Sequence, residues 1–199
     1  MNQEIFSTKD QGMRKLAVFN SVTLDGYFTG TDGDMSWAHR GRQDAEWNDF
    51  VASNASGGGV LLFGRITYAM MASYWPTPAA MSNDPVVAKG MNDMPKFVFS
   101  RTLDKVSWSN TTLLKGDLAE EVRKLKQQPG PDMAILGSGS IVSQLAQERL
   151  IDEYQLAVVP VVLGKGRSMF DGVSKMDLKP TKTRAFGNGN VFLSYEPLK

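Results

Sequence analysis

Twice in this chain a short apolar run breaks directly into glycine and then into a segment of helical character. Residues 60–63 read VLLF and are followed by Gly64-Arg65-Ile66-Thr67; residues 133–136 read MAIL and are followed by Gly137-Ser138-Gly139-Ser140. A run of four apolar residues bounded by glycine fits a buried strand, and a strand that turns through glycine into a helix is the βα unit. Strands joined in this way run parallel and are covered by helices, because the crossover must pass over a face of the sheet. The chain is thereby restricted to an α/β fold with a mainly parallel sheet.

The rest of the sequence extends the alternation. Residues 15–22 (KLAVFNSV) and 96–100 (KFVFS) have strand composition. Residues 44–53 place Trp47, Phe50 and Val51 at helical spacing before Gly57-Gly58-Gly59, and a helix follows Thr67 as far as Ala72. Residues 117–128 carry Leu118, Val122 and Leu125, with Glu120 and Glu121 placed before Lys124, which predicts an amphipathic helix supported by charge pairs. Another helix opens at Ile141. Residues 76–85, rich in proline and small side chains, are expected to be irregular. The end departs from the alternation: residues 153–162, 181–186 and 191–195 read as strands. The last two are joined through Gly187-Asn188-Gly189-Asn190 as a hairpin, which puts antiparallel strands at one edge.

At 199 residues, 42% hydrophobic and 22% charged, the chain has the make-up of an ordinary globular protein, large enough for one substantial core. No flexible stretch divides it, so residues 13–199 are expected to form a single domain. Residues 1–12 are polar and precede a second methionine, Met13; they are expected to be a disordered leader or tag. A formal charge of +1 supplies no field for a polyanion and argues against nucleic acid as a partner. Cysteine is absent, which excludes disulfides, thiolate metal sites and cysteine nucleophiles. His39 is the sole histidine, and a lone histidine is more often a surface residue than a ligand, so no metal site is expected. No run resembles a signal peptide or approaches the ~20 apolar residues of a membrane span. The expectation is a cytoplasmic protein with no membrane partner.

In open α/β sheets, ligands lie outside the carboxyl ends of the strands. Three junctions there share a character: GRIT after VLLF, Ser100-Arg101 after KFVF, and SGS after AILG. Two of them place backbone amides at a helix N-terminus, where unpaired N–H groups and the helix dipole attract phosphate. The third adds an arginine, whose paired donors suit a phosphate. Singly, each has an ordinary reading: the GSGS turn as a tight connection with Ser140 as N-cap, Arg65 and Arg101 as surface cations. Together they suit a ligand with a pyrophosphate and one further phosphate, and NADPH is such a ligand. No GxGxxG follows a strand, so the usual dinucleotide-binding fingerprint is missing.

In order along the chain, LDGYF after the first strand, GRITY after the second, SR after the third, then ILGSGS and VVPVVLGKG resemble the reductase domain of riboflavin biosynthesis and its stand-alone relatives. The resemblance runs from Arg14 to Glu196. It implies the dihydrofolate reductase-like three-layer fold: a mostly parallel central sheet, helices on both faces, and an antiparallel C-terminal hairpin at the edge. It also implies a homodimer that binds NADPH across the sheet edge. Gly64, Arg65 and Thr67 would lie near the pyrophosphate, Ser100 and Arg101 at the adenosine 2′-phosphate, and Gly137, Ser138, Gly139 and Ser140 on the other side of the pyrophosphate. Thr23 and Asp25, with Leu24 and Gly26, would stand beside the nicotinamide and the substrate. Gly164 and Lys165 match the family's late loop beside the substrate. The zinc deaminase half of the pathway enzyme has no counterpart, since neither cysteine nor an HxE signature occurs.

Several of these residues keep a plainer reading. Asp25-Gly26 is a turn signal in its own right; as a catalytic group, Asp25 would position a substrate or relay a proton. Tyr68 and Trp75, with Trp37 and Tyr74, suit a substrate-pocket wall or equally a core or dimer contact. Lys165 either attracts an anionic substrate or is simply solvated. The leading expectation is an NADPH-dependent reductase that passes hydride to a small heteroaromatic or conjugated substrate, pterin-like or pyrimidine-like. The rival is a non-catalytic module that retains a dinucleotide or pterin pocket.

Overall fold

The computed structural model describes residues 13–39 and 44–198; the leader expected at residues 1–12 lies outside the described residues. The elements run β1 (Leu16–Thr23), a 3-10 turn (Ser36–His39), α1 (Ala45–Ser56), β2 (Val60–Gly64), α2 (Arg65–Tyr74), α3 (Pro78–Asn83), α4 (Pro85–Asp93), β3 (Lys96–Phe99), β4 (Thr111–Leu114), α5 (Leu118–Gln127), β5 (Met133–Leu136), α6 (Gly139–Gln147), β6 (Glu153–Val159), β7 (Leu178–Ala185) and β8 (Val191–Pro197). The eight strands form one sheet in the order β4-β3-β2-β5-β1-β6-β8-β7. From β4 to β6 every pairing is parallel; β8 then pairs antiparallel with both β6 and β7. This is the three-layer α/β sheet with a C-terminal antiparallel edge that the sequence predicts. Among the described residues no helix is long and apolar enough to cross a membrane.

Strand alternation decides which layer each side chain meets. Leu16, Val18 and Val22 of β1, Met133 and Ile135 of β5 and Tyr154 of β6 pack with Val122 and Leu125 of α5 and Ile141, Val142 and Leu145 of α6. The other face carries two smaller clusters. Leu61, Phe63 and Val98 meet Tyr68, Met91 and Trp108, while α1 lays Trp47 and Phe50 against Ala157, Phe186 and Phe192. Asp44 starts α1 by accepting the Trp47 N–H at 2.8 Å, so this helix is both capped and anchored through the residues that share its apolar face.

The structure differs from the sequence-based expectation in two stretches. Residues 76–85 are not irregular throughout: α3 starts at Pro78, with Thr77 accepting the Ala80 N–H at 3.2 Å, and α4 starts at Pro85. Proline in the first helical turn loses no hydrogen bond and has its φ already set, so here it opens helices rather than breaking them. The strand β4 has no strong apolar signal because TTLL sits half-exposed at the sheet edge. It is held by β3 and by Lys96, whose ammonium is buried and donates to the carbonyls of Asn92, Met94 and Ser109 at 3.1, 2.6 and 3.3 Å, 4.5 Å from the centre of the Trp108 ring. Burial pushes that ammonium down to about 8.

Candidate functional site

The carboxyl ends of β2, β3 and β5 open on one cleft of about 850 Å3. Gly64, Arg65, Ile66 and Thr67 enter it from the start of α2, Ser100, Arg101 and Thr102 from the loop after β3, and Ser138, Gly139 and Ser140 from the turn into α6. The three junctions that are separate in the sequence therefore share one wall.

The turn between β5 and α6 has an unusual backbone. Gly137 and Ser138 are consecutive residues of positive φ, +63° and +57°. Only glycine fits the first position, because a Cβ there would lie 2.8 Å from Thr67 Cγ2. A left-handed serine costs roughly 1 kcal/mol, and its neighbours hold it in place. The Gly64 N–H donates to Ser138 Oγ at 2.8 Å, and the Ser138 N–H donates to Thr67 Oγ1 at 3.0 Å. Both glycine turns are thus bonded to each other through Ser138.

That arrangement has a consequence at the helix ends. Ser138, not Ser140, occupies the N-cap position of α6, and its hydroxyl is engaged with Gly64, so α6 begins with no side-chain cap; α2 begins with none either. By contrast Asp44, Thr77 and Asp117 cap α1, α3 and α5. The first N–H groups of a helix have no partner inside it and carry the positive end of the dipole, and at α2 and α6 they open on the same cleft. Arg65 and Arg101 are exposed beside them, and among the described residues neither forms an ion pair. Ser100 shapes its loop rather than facing outward alone: its Oγ accepts the N–H groups of Thr102 and Leu103 at 3.2 and 3.0 Å.

The far half of the cleft is built from residues that sequence reasoning missed. Phe28, Thr29 and Met35 come from the segment after β1, and Arg167, Ser168 and Asp171 from the segment after β6. The two segments are joined by the Phe28 N–H donating to the Arg167 carbonyl at 2.8 Å and the Arg167 N–H donating to the Thr29 carbonyl at 2.9 Å. Gly166 permits that approach, since a Cβ there would stand 2.4 Å from the Thr29 oxygen. No short motif signals this pairing, because the two segments meet only through sheet order.

Several expected site residues prove to have other work. Thr23 is 1% exposed and does not line the cleft; its hydroxyl donates to Asp25 at 2.6 Å and accepts the Tyr27 N–H at 2.9 Å. Asp25 is exposed and is not among the residues that line the cleft. Its carboxylate accepts from Thr23, from the Leu163 N–H at 3.1 Å and from the Gly164 N–H at 2.7 Å, which fastens the β1 loop to the β6 loop. The Thr23 hydroxyl and then those backbone donors hold the carboxyl below the usual carboxylate range, so it stays ionised. Gly164 serves as that donor at φ +72°, and Lys165 is exposed and is not among the residues that line the cleft. Tyr68 is no pocket wall: it is 5% exposed in the core, and its hydroxyl accepts the N–H groups of Ser107 and Trp108 at 2.9 and 3.0 Å. Trp75 packs against the same cluster, with its indole N–H on Met71 Sδ.

The sheet order and the cleft at its carboxyl edge define a dihydrofolate reductase-like α/β domain. Within that class the chain belongs to the RibD C-terminal domain family, whose sequence model matches residues 14–192. Its relatives include two Bacillus subtilis (strain 168) proteins. YyaP is 30% identical over 189 residues, covering 94% of this chain and 97% of that one, and YwjB is 27% identical over 174 residues, covering 85% and 91%. Among solved structures, a putative riboflavin biosynthesis protein from Shewanella sp. PV-4 superposes with a TM-score of 0.68 at 22% identity, covering 93% of this chain and 99% of that one. A pyrimidine reductase-like protein from Corynebacterium diphtheriae gives 0.55 at 14% identity, with 94% and 92% covered. RibD of Acinetobacter baumannii gives 0.58 at 15% identity, and there the match takes 95% of this chain but 59% of that one. These structural likenesses concern the fold.

Proposed function

We propose that this chain is a cytoplasmic NADPH-dependent reductase, homodimeric, that passes hydride to a small heteroaromatic or conjugated substrate of pterin or pyrimidine type. The observation that carries the reading is the convergence of two uncapped helix starts and two exposed arginines on one cleft. Donors of that kind answer a pyrophosphate and an additional phosphate. Family membership and the pyrimidine reductase-like neighbour support the reaction type and the substrate class.

The residues present fit the cofactor. The first N–H groups of α2 and α6 would take the pyrophosphate, and Arg101 with the Ser100 loop the further phosphate. NADPH, when bound, supplies the hydride. The protein's part is to hold and orient the two reactants and to exclude water. Ile66 and Met70 offer apolar surface on the α2 side, and Phe28 and Met35 on the opposite side, next to Thr29, Arg167 and Ser168. That far half is left for the substrate.

Titration with NADPH and with NADH, followed by the fluorescence of the four tryptophans, tests the reading. Micromolar binding with preference for NADPH is expected, and absence of binding by either dinucleotide would remove the cofactor assignment. Oxidation of bound NADPH over a panel of pterins and pyrimidines is the second stage. Binding without oxidation throughout the panel would leave a non-catalytic dinucleotide module.

A further inference from the structure

Asn20 is a polar residue, 4% exposed, at an inward position of β1 among Val18 and Val22. Its side chain does what a strand pairing would do one residue beyond the point where the β1–β5 ladder ends at Phe19 and Leu136. Oδ1 accepts the Gly137 N–H at 2.6 Å, and Nδ2 lies 3.3 Å from the Gly137 carbonyl and 3.5 Å from Met169 Sδ. Both backbone groups of the first left-handed residue are thereby held by one amide. From Gly137 the connection continues through Ser138 to Gly64 and Thr67. In the other direction Met169 belongs to the segment, between Ser168 and Asp171, that forms the far half of the cleft.

We infer that Asn20 is a positioning residue that keeps the two glycine turns and the 168–171 segment in one arrangement, so that the helix starts of α2 and α6 meet a dinucleotide together. It touches no ligand itself and acts through Gly137. Its part in dinucleotide binding rests on the nucleotide reading above; its mechanical part does not.

The test compares Asn20→Leu, close in size and unable to donate or accept, with Val18→Ala, a plain core truncation on the same strand face. Amide exchange by mass spectrometry is read on peptides covering residues 62–68 and 136–142, with α1 as reference, and NADPH affinity by tryptophan fluorescence. In Asn20→Leu, exchange in both peptides is expected to quicken about tenfold together, α1 is expected to stay unchanged, and the NADPH Kd to rise about tenfold. Val18→Ala should lower only the melting midpoint. Quickening confined to 136–142, or an Asn20→Leu protein that behaves like Val18→Ala, would overturn the inference. If the wild type binds no dinucleotide, the exchange result alone decides the positioning role and the nucleotide reading falls separately. Should the leucine variant not fold, Asn20→Ser, whose shorter side chain lacks the amide's separate donor and acceptor, is read by the same criteria.

Discussion

Arg101 stands exposed at the head of a loop whose shape is set by the Ser100 hydroxyl, so its guanidinium can be removed without loss of packing. A charge-assisted hydrogen bond is worth roughly 1.5–3 kcal/mol, and Arg101→Ala should therefore weaken NADPH binding about tenfold or more while leaving NADH binding nearly unchanged. Paired titrations check this, and an unaltered ratio would take the 2′-phosphate away from Arg101. Asp25 makes a different prediction. Its folded-state carboxyl lies below the ordinary range, through the Thr23 hydroxyl first and the Gly164 and Leu163 N–H groups next. The stability it contributes is present above the unfolded carboxylate value, about pH 4, and is lost as pH falls through the folded value. Asp25→Asn should accordingly melt below the wild type at neutral pH, with the gap closing in acid, and should still bind NADPH. Sequence alone names the LDG turn here but not its role, because the backbone donors of Asp25 lie 138 and 139 residues away.

Among the elements, α1 and the C-terminal strands depend on each other through rings. Phe50 lies 6.3, 5.6, 5.2 and 5.0 Å from the ring centres of Phe19, Trp47, Phe186 and Phe192. Truncation of a buried aromatic costs roughly 3–5 kcal/mol, so Phe50→Ala should lower the unfolding free energy from denaturant titration by an amount in that range. The cleft lies outside this cluster, and the dinucleotide affinity of the folded variant should stay as in the wild type. Most elements were legible as sequence: β2 and β5 from apolar runs closed by glycine, α5 from its charge pairs and Asp117. The exceptions, α3, α4 and β4, have weak periodicity and take their form from proline-led first turns and from edge pairing.

At the scale of the whole molecule, the outer edge of β7 is the end of the sheet. It carries Lys179, Pro180, Lys182 and Arg184 on an exposed strand, features that discourage a further strand from adding there. If the proposed homodimer forms, sedimentation should give twice 21.9 kDa. Lys182→Glu should leave that mass unchanged, whereas dissociation would place the dimer contact on this edge. The sequence by itself determined the α/β class, the antiparallel finish and the position of the three strand-end junctions, because periodicity, glycine turns and helix starts are local properties of the chain. Tertiary structure alone decided that Asp25 fastens a loop, that the Tyr68 hydroxyl holds the backbone at Ser107 and Trp108, and that Asn20 reaches Gly137. Each of those side chains finds its partner far along the chain, and only the order of strands in the sheet brings the two together.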